Sequence, residues 1–229
     1  MRWLRAPALV LLAAVAVVAA VPLVLWARLR GDAGPLYAAG RRLLGLGLRL
    51  AGIRLEVRGV EQVPRRGPVV VMANHTSAAD PVALLVALPR RVVFLAKQEL
   101  FRVPVLGMVM RAGGFVAVDR ARREAGAVAL AQAAARLAEG LAVVIYPEGT
   151  RSRDGRLLPF RRGGFRLAAE AGAVIVPASI AGAERVLPPG RLWPAPGTIR
   201  VVFHRPVVPQ VPLEELVERV RAAIAAGLG

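Results

Sequence analysis

The chain has 229 residues, no cysteine, a net charge of +17 and 56% hydrophobic residues. Its length suits one sizeable α/β domain plus an extra segment, and the missing cysteine excludes disulfides, thiolate metal sites and a cysteine nucleophile. A mean hydropathy of +0.52 exceeds that of ordinary soluble domains and points to a segment in or on lipid, while the charge admits polyanions or anionic headgroups as partners. The arginines are scattered through the chain in place of one recognition stripe, and only 5% of residues are aromatic, which leaves little material for base stacking, so no nucleic-acid partner is expected.

Residues 6–27 carry no charge, a length that matches the ~20 residues a helix needs to cross a hydrocarbon core. Trp26 stands at its end, where an interface belongs. Arg2 and Arg5 precede the segment, and Arg28, Arg30, Arg41 and Arg42 follow it with only Asp32 opposing, so the positive-inside rule directs the main domain to the cytoplasm. A cleaved signal peptide is the competing reading, because Ala14-Val15-Ala16 fits the small-x-small rule, but its hydrophobic region would be too long. Residues 35–52 mix six leucines with Arg41, Arg42 and Arg49. They read as a basic amphipathic helix, either at the membrane surface or buried against the domain. The expected organisation is a membrane-anchoring segment over 1–52 and a catalytic domain over 53–229.

Beyond residue 52, β-rich runs at 53–60, 69–73, 92–96, 115–118, 143–146, 174–180 and 199–203 alternate with helical patterns at 81–88, 122–139 and 165–171. Such alternation predicts an α/β fold with a mixed, largely parallel sheet covered by helices. After Pro212, apolar residues recur at helical spacing from Leu213 to Ile224 with Glu214 and Glu215 in the first turn, which predicts a docked amphipathic helix.

The run Val69-Val70-Val71-Met72-Ala73 delivers Asn74-His75-Thr76-Ser77-Ala78-Ala79-Asp80 beyond its carboxyl end, where open α/β sheets place their chemistry. Imidazole is the usual general base at neutral pH, and Asp80 is spaced to hold that ring. A purely structural reading uses the same residues: Ser77-x-x-Asp80 resembles a capping box, and Pro81 suits a first helical turn. Five residues along a regular helix would set the side chains ~140° apart. The pair therefore works only with His75 in the loop and Asp80 at the helix start, which is what the cap signals predict. His204, the other histidine, lies in a strand-like run far from this loop and reads as structural.

A second polar turn, Tyr146-Pro147-Glu148-Gly149-Thr150-Arg151-Ser152, follows the strand over 143–146. Arg151, the Gly149 backbone N–H and the Thr150 and Ser152 hydroxyls suit a phosphate monoester, since guanidinium binds its oxygens bidentately. Lys97 is the single lysine beside 31 arginines. It reads either as a chance survivor or as a place needing a compact ammonium in place of a planar fork.

Together these strings resemble the glycerolipid acyltransferase family that includes the 1-acyl-glycerol-3-phosphate acyltransferases. Its N-H-x-S-x-x-D block is matched by Asn74, His75, Ser77 and Asp80, and its F-P-E-G-T-R-S block by Tyr146 to Ser152 with tyrosine in the first place. Looser matches run from Gly114 to Arg120 and from Val174 to Pro177. Departures are Thr76 where glutamine is common, Ala117 where phenylalanine is usual, and Ala178 after the fourth-block proline.

The resemblance implies transfer of a fatty acyl group from an acyl thioester, on acyl carrier protein or coenzyme A as co-substrate, to the free sn-2 hydroxyl of lysophosphatidate. It implies His75 as general base, Asp80 as its orienting acid, and Lys97, Arg151 and Arg120 on the acceptor phosphate, with Glu148 accepting from a glycerol hydroxyl. No metal and no cofactor are expected. The alternatives are the same chemistry on glycerol 3-phosphate, another lysophospholipid or an amino-acid lipid, and, more remotely, a non-catalytic basic protein that binds membrane or nucleic acid.

Overall fold

The structure, a computed structural model, describes residues 5–119 and 123–228. In chain order its elements are α1 (Arg5–Arg30), α2 (Gly34–Leu50), β1 (Ile53–Arg58), β2 (Val69–Ala73), α3 (Asp80–Ala87), β3 (Val92–Lys97), α4 (Leu106–Ala112), β4 (Val116–Val118), α5 (Arg123–Ala138), β5 (Ala142–Ile145), α6 (Gly163–Glu170), β6 (Val174–Ala181), α7 (Ala183–Val186), β7 (Gly197–Phe203) and α8 (Leu213–Ala226).

The strands form one sheet in the order β1-β7-β6-β2-β5-β3-β4. Every neighbouring pair is parallel except β6 with β7, so the sheet is mixed and largely parallel. β2 lies at its centre, and all five of its residues are buried, because a parallel sheet is covered on both faces and its inner strands read as unbroken apolar runs. Its side chains nevertheless alternate. Val69, Val71 and Ala73 join a core with Leu48, Ala83 and Leu84 from α2 and α3, whereas Val70 and Met72 join the opposite core with Leu137, Phe165 and Leu216 from α5, α6 and α8.

α1 is longer than its uncharged stretch and contains Pro22. It is long and apolar enough to cross a membrane, with a mean hydropathy of 3.0 over its best window. Its N-terminal end lies beside the C-terminal end of α2, with Leu12 against Gly47 and Arg5 against Gly52, so the two helices form an antiparallel hairpin. Only Ala20, Val24 and Ala27 of α1 are buried, while Val10, Val15, Val18, Val21, Trp26 and Leu29 are exposed, an apolar face that lipid can cover. The protein is thus equipped for membrane association. α2 packs on α3 and β1, burying Leu36 and Leu48 while leaving Arg42 and Arg49 exposed.

Candidate active site

β2 and β5 are adjacent and parallel, so the two polar turns leave the sheet side by side from neighbouring carboxyl ends. His75 lies in the loop and Asp80 is the first residue of α3. The imidazole Nδ1 sits 2.8 Å from Asp80 Oδ2; Asp80 is fully buried and the His75 side chain keeps 10% of its exposure. The same Oδ2 accepts the backbone N–H groups of Thr76 and Ser77, each at 2.8 Å. The expected capping box is therefore only half formed. Asp80 reaches back to the loop amides, while Ser77 Oγ accepts from Ala79 N–H at 3.1 Å and donates to the Leu187 carbonyl at 2.7 Å.

With Nδ1 held by the carboxylate, Nε2 is the ring nitrogen left to take a proton. The ring stacks on Tyr146 at a centroid separation of 4.0 Å and an interplanar angle of 16°. Asn74, beside His75, exchanges two hydrogen bonds with the Ile180 backbone of β6 at 2.7 and 2.8 Å, which pins the loop to the strand on the other side of β2. Nothing in the sequence assigned that role to Asn74 beyond its place in the motif.

Glu148 is engaged with the protein's own backbone. Its Oε1 accepts His75 N–H at 2.9 Å and its Oε2 accepts Leu158 N–H at 3.0 Å; the carboxyl is buried and is not part of the cavity wall. Burial raises its pKa, opposed by those two amides. We read it as a tie between loops. Gly149 is engaged too, its N–H being spent inside the turn on the Tyr146 carbonyl at 3.0 Å. Its φ of +73° favours glycine, and a side chain there would meet the Arg161 side chain. Thr150 is exposed and also outside the cavity wall.

A cavity of about 480 Å³ opens beside His75. Val82 and Leu85 from α3, Phe94 and Leu95 from β3, and Leu106 and Met110 from α4 give it an apolar lining, and Lys97 and Arg151 supply its cations. Lys97 Nζ lies 3.1 Å from Glu99 Oε1 in an exposed pair, whereas Arg151 enters no ion pair among the described residues. Arg120 lies outside the described residues. The arrangement offers an imidazole oriented through Nδ1, an apolar trough for an acyl chain and two cations for an anionic group.

A family model described as Acyltransferase matches residues 54–181, which span both polar turns. A 1-acyl-sn-glycerol-3-phosphate acyltransferase of Chlamydomonas reinhardtii is 34% identical over 177 residues, covering 76% of this chain and 53% of that protein. The beta enzyme of the same name from Homo sapiens is 40% identical over 127 residues, 55% of this chain and 46% of its own. The chain spans about half the length of the curated relatives it matches. Among solved structures, the 1-acyl-sn-glycerophosphate acyltransferase PlsC of Thermotoga maritima superposes with a TM-score of 0.83 at 29% identity, covering 99% of this chain and 96% of that one. The protein whose His75–Asp80 pair heads this cavity belongs to the acyltransferase family.

Proposed function

We propose that the chain is a membrane-associated 1-acyl-glycerol-3-phosphate O-acyltransferase, moving a fatty acyl group from acyl carrier protein or coenzyme A to the sn-2 hydroxyl of lysophosphatidate and giving phosphatidate. The observation that carries the reading is the buried His75–Asp80 pair at the head of an apolar cavity that also holds Lys97 and Arg151. His75 Nε2 takes the proton of the acceptor hydroxyl as the hydroxyl oxygen attacks the thioester carbonyl. Asp80 fixes the tautomer and stabilises the imidazolium, as the acid of a serine-protease triad does. The tetrahedral intermediate collapses to ester and thiolate, and the imidazolium returns its proton to the sulfur. No protein nucleophile is needed, because the acceptor hydroxyl occupies that place.

Arg151 and Lys97 hold the acceptor phosphate, and the apolar lining receives an acyl chain. The arginine excess behind α1 over that before it supports a catalytic domain on the cytoplasmic side. The test is direct: purified protein with lysophosphatidate and either acyl thioester should release free thiol and form phosphatidate in equal amounts. Release of thiol without phosphatidate, or with glycerol 3-phosphate as the preferred acceptor, would replace this assignment.

A further inference from the structure

Three polar side-chain atoms around the His75–Asp80 pair are sealed from solvent and have no hydrogen-bond partner among the described residues: Thr76 Oγ1, Asp80 Oδ1 and the Tyr146 hydroxyl. Each belongs to the pair or to a residue beside it. Thr76 follows His75 in the loop and already gives its N–H to Asp80 Oδ2. Tyr146 lies ring to ring on His75; its ring borders the cavity while its hydroxyl is buried. Burial first, and the Asp80 charge second, push the phenol well above its usual range, so hydroxyl and carboxylate feel each other without touching.

Leaving a carboxylate oxygen and two hydroxyls unpaired in the interior costs the desolvation of each group with nothing returned. A buried water typically makes two to four hydrogen bonds to such atoms. Here the donor count fits one: each hydroxyl has a proton to donate, the carboxylate only accepts, and a water accepts from the hydroxyls while donating to the carboxylate. We propose that Tyr146 and Thr76 bind one internal water that donates to Asp80 Oδ1, which makes both of them positioning residues for the His75–Asp80 pair. Asp80 is then held at both oxygens, Oδ2 by His75 and two amides and Oδ1 by the water, so the carboxylate cannot swing and the ring it orients stays in place.

The inference rests on the acyl-transfer reading only for its kinetic consequence, and the experiment separates the two. The chain has only two histidines, so the ring of His75 can be titrated by NMR in detergent, with His204→Gln identifying which signal is which. Tyr146→Phe keeps the stacked ring and Thr76→Val keeps the shape, so each removes a hydroxyl alone. Asp80 on Nδ1, Glu148 on the His75 amide, and Lys97 and Arg151 along the cavity remain as they are in both variants. Losing the relayed donor leaves the Asp80 charge less shared, so the His75 pKa should rise by roughly half a unit to one unit in either variant, the size one net hydrogen bond supports. The double variant should shift by less than the sum, since both hydroxyls serve one water. The acid limb of the acyl-transfer pH profile should move by the same amount. An unchanged His75 titration in both single variants overturns the proposal whatever the activity does. A wild type without acyl transfer, with the titration shifts present, overturns the function and leaves the water site standing.

Discussion

The His75 backbone is tied on both sides to the second polar turn: its N–H donates to Glu148 Oε1 at 2.9 Å and its carbonyl accepts Ser152 N–H at 2.8 Å. The proposed base is thus located by a neighbouring loop as well as by its own strand. Glu148→Gln leaves one buried N–H, of His75 or of Leu158, facing an amide that cannot accept it. The expected cost is about 1–3 kcal/mol of stability, seen as a lower midpoint of thermal unfolding, with kcat reduced and the acceptor KM little changed. If the acceptor KM rises while stability holds, Glu148 binds the glycerol after all.

Asp80→Asn should be milder than His75→Ala. Asp80 Oδ2 also takes the Thr76 and Ser77 amides, and these two donors hold the oxygen of an asparagine in that position, so the Nδ1–H tautomer survives and only the charge is lost. His75→Ala removes the proposed base itself, a loss typically of ~10² to 10⁴ in rate. Steady-state kinetics of the two purified variants gives the comparison, and an Asp80→Asn enzyme as impaired as His75→Ala would mean that the amide had flipped.

Arg151 lines the cavity and enters no ion pair among the described residues, so its guanidinium is available to a phosphate. Arg151→Ala should raise the acceptor KM by roughly ten- to hundredfold, the equivalent of a charge-assisted hydrogen bond of ~1.5–3 kcal/mol, with little effect on the thioester KM. Lys97→Arg keeps the charge but replaces a compact ammonium by a planar fork, and should also weaken acceptor use. Equal changes in both substrates' KM would argue against a phosphate role.

Much of this fold was legible in local pattern. β2 occupies residues 69–73 as its apolar run predicts, and Pro81 and Asp80 do begin a helix. The strand order was not legible, because β1 pairs with β7 and β2 with β6 through contacts that no local periodicity encodes. α4 is not legible in the sequence either. Its first turn carries Gly107, ordinarily a helix breaker, yet a side chain there would run into the Phe101 carbonyl, so close packing of the backbone decided what propensity argued against. At the site, residue type announced chemistry but not whose partner each group would be. The Glu148 carboxylate reads as a substrate contact, yet it also accepts the His75 and Leu158 amides, bonds between loops that exist only once the sheet is assembled.

His204 offers a pH test away from the cavity. Ser179 Oγ donates to the Ile224 carbonyl at 2.7 Å, which fastens the end of α8 to β6, so His204 Nε2, 2.7 Å from Ser179 Oγ, donates to that hydroxyl oxygen. Burial lowers the His204 pKa. The unfolded chain then binds a proton more readily than the folded one, so stability is full above the unfolded value of ~6.5 and is lost as pH falls through the lowered folded value. The unfolding midpoint of the wild type should therefore drop more between pH 7 and pH 5 than that of His204→Gln. Parallel pH profiles would show that this imidazole is not a source of the slope.

The hairpin of α1 and α2 presents two surfaces with different responses to salt. α1 exposes Val18, Val21, Leu25 and Leu29, and burial of apolar area in lipid is not screened by ions. On α2, Arg41, Arg42 and Arg49 line a groove of about 550 Å³ with Leu46 and Val86, and none of the three enters an ion pair among the described residues. Juxtamembrane cations of this kind contribute ~1 kcal/mol each near an anionic surface and weaken as salt rises. The full chain should therefore pellet with membranes and resist a high-salt wash. A chain lacking residues 1–26 should still sediment with anionic vesicles at low salt, be released at high salt, and ignore zwitterionic vesicles. Release of the full chain by salt alone would show that α1 is not the lipid-facing element, and a truncated chain indifferent to vesicle charge would remove the α2 arginines from membrane binding.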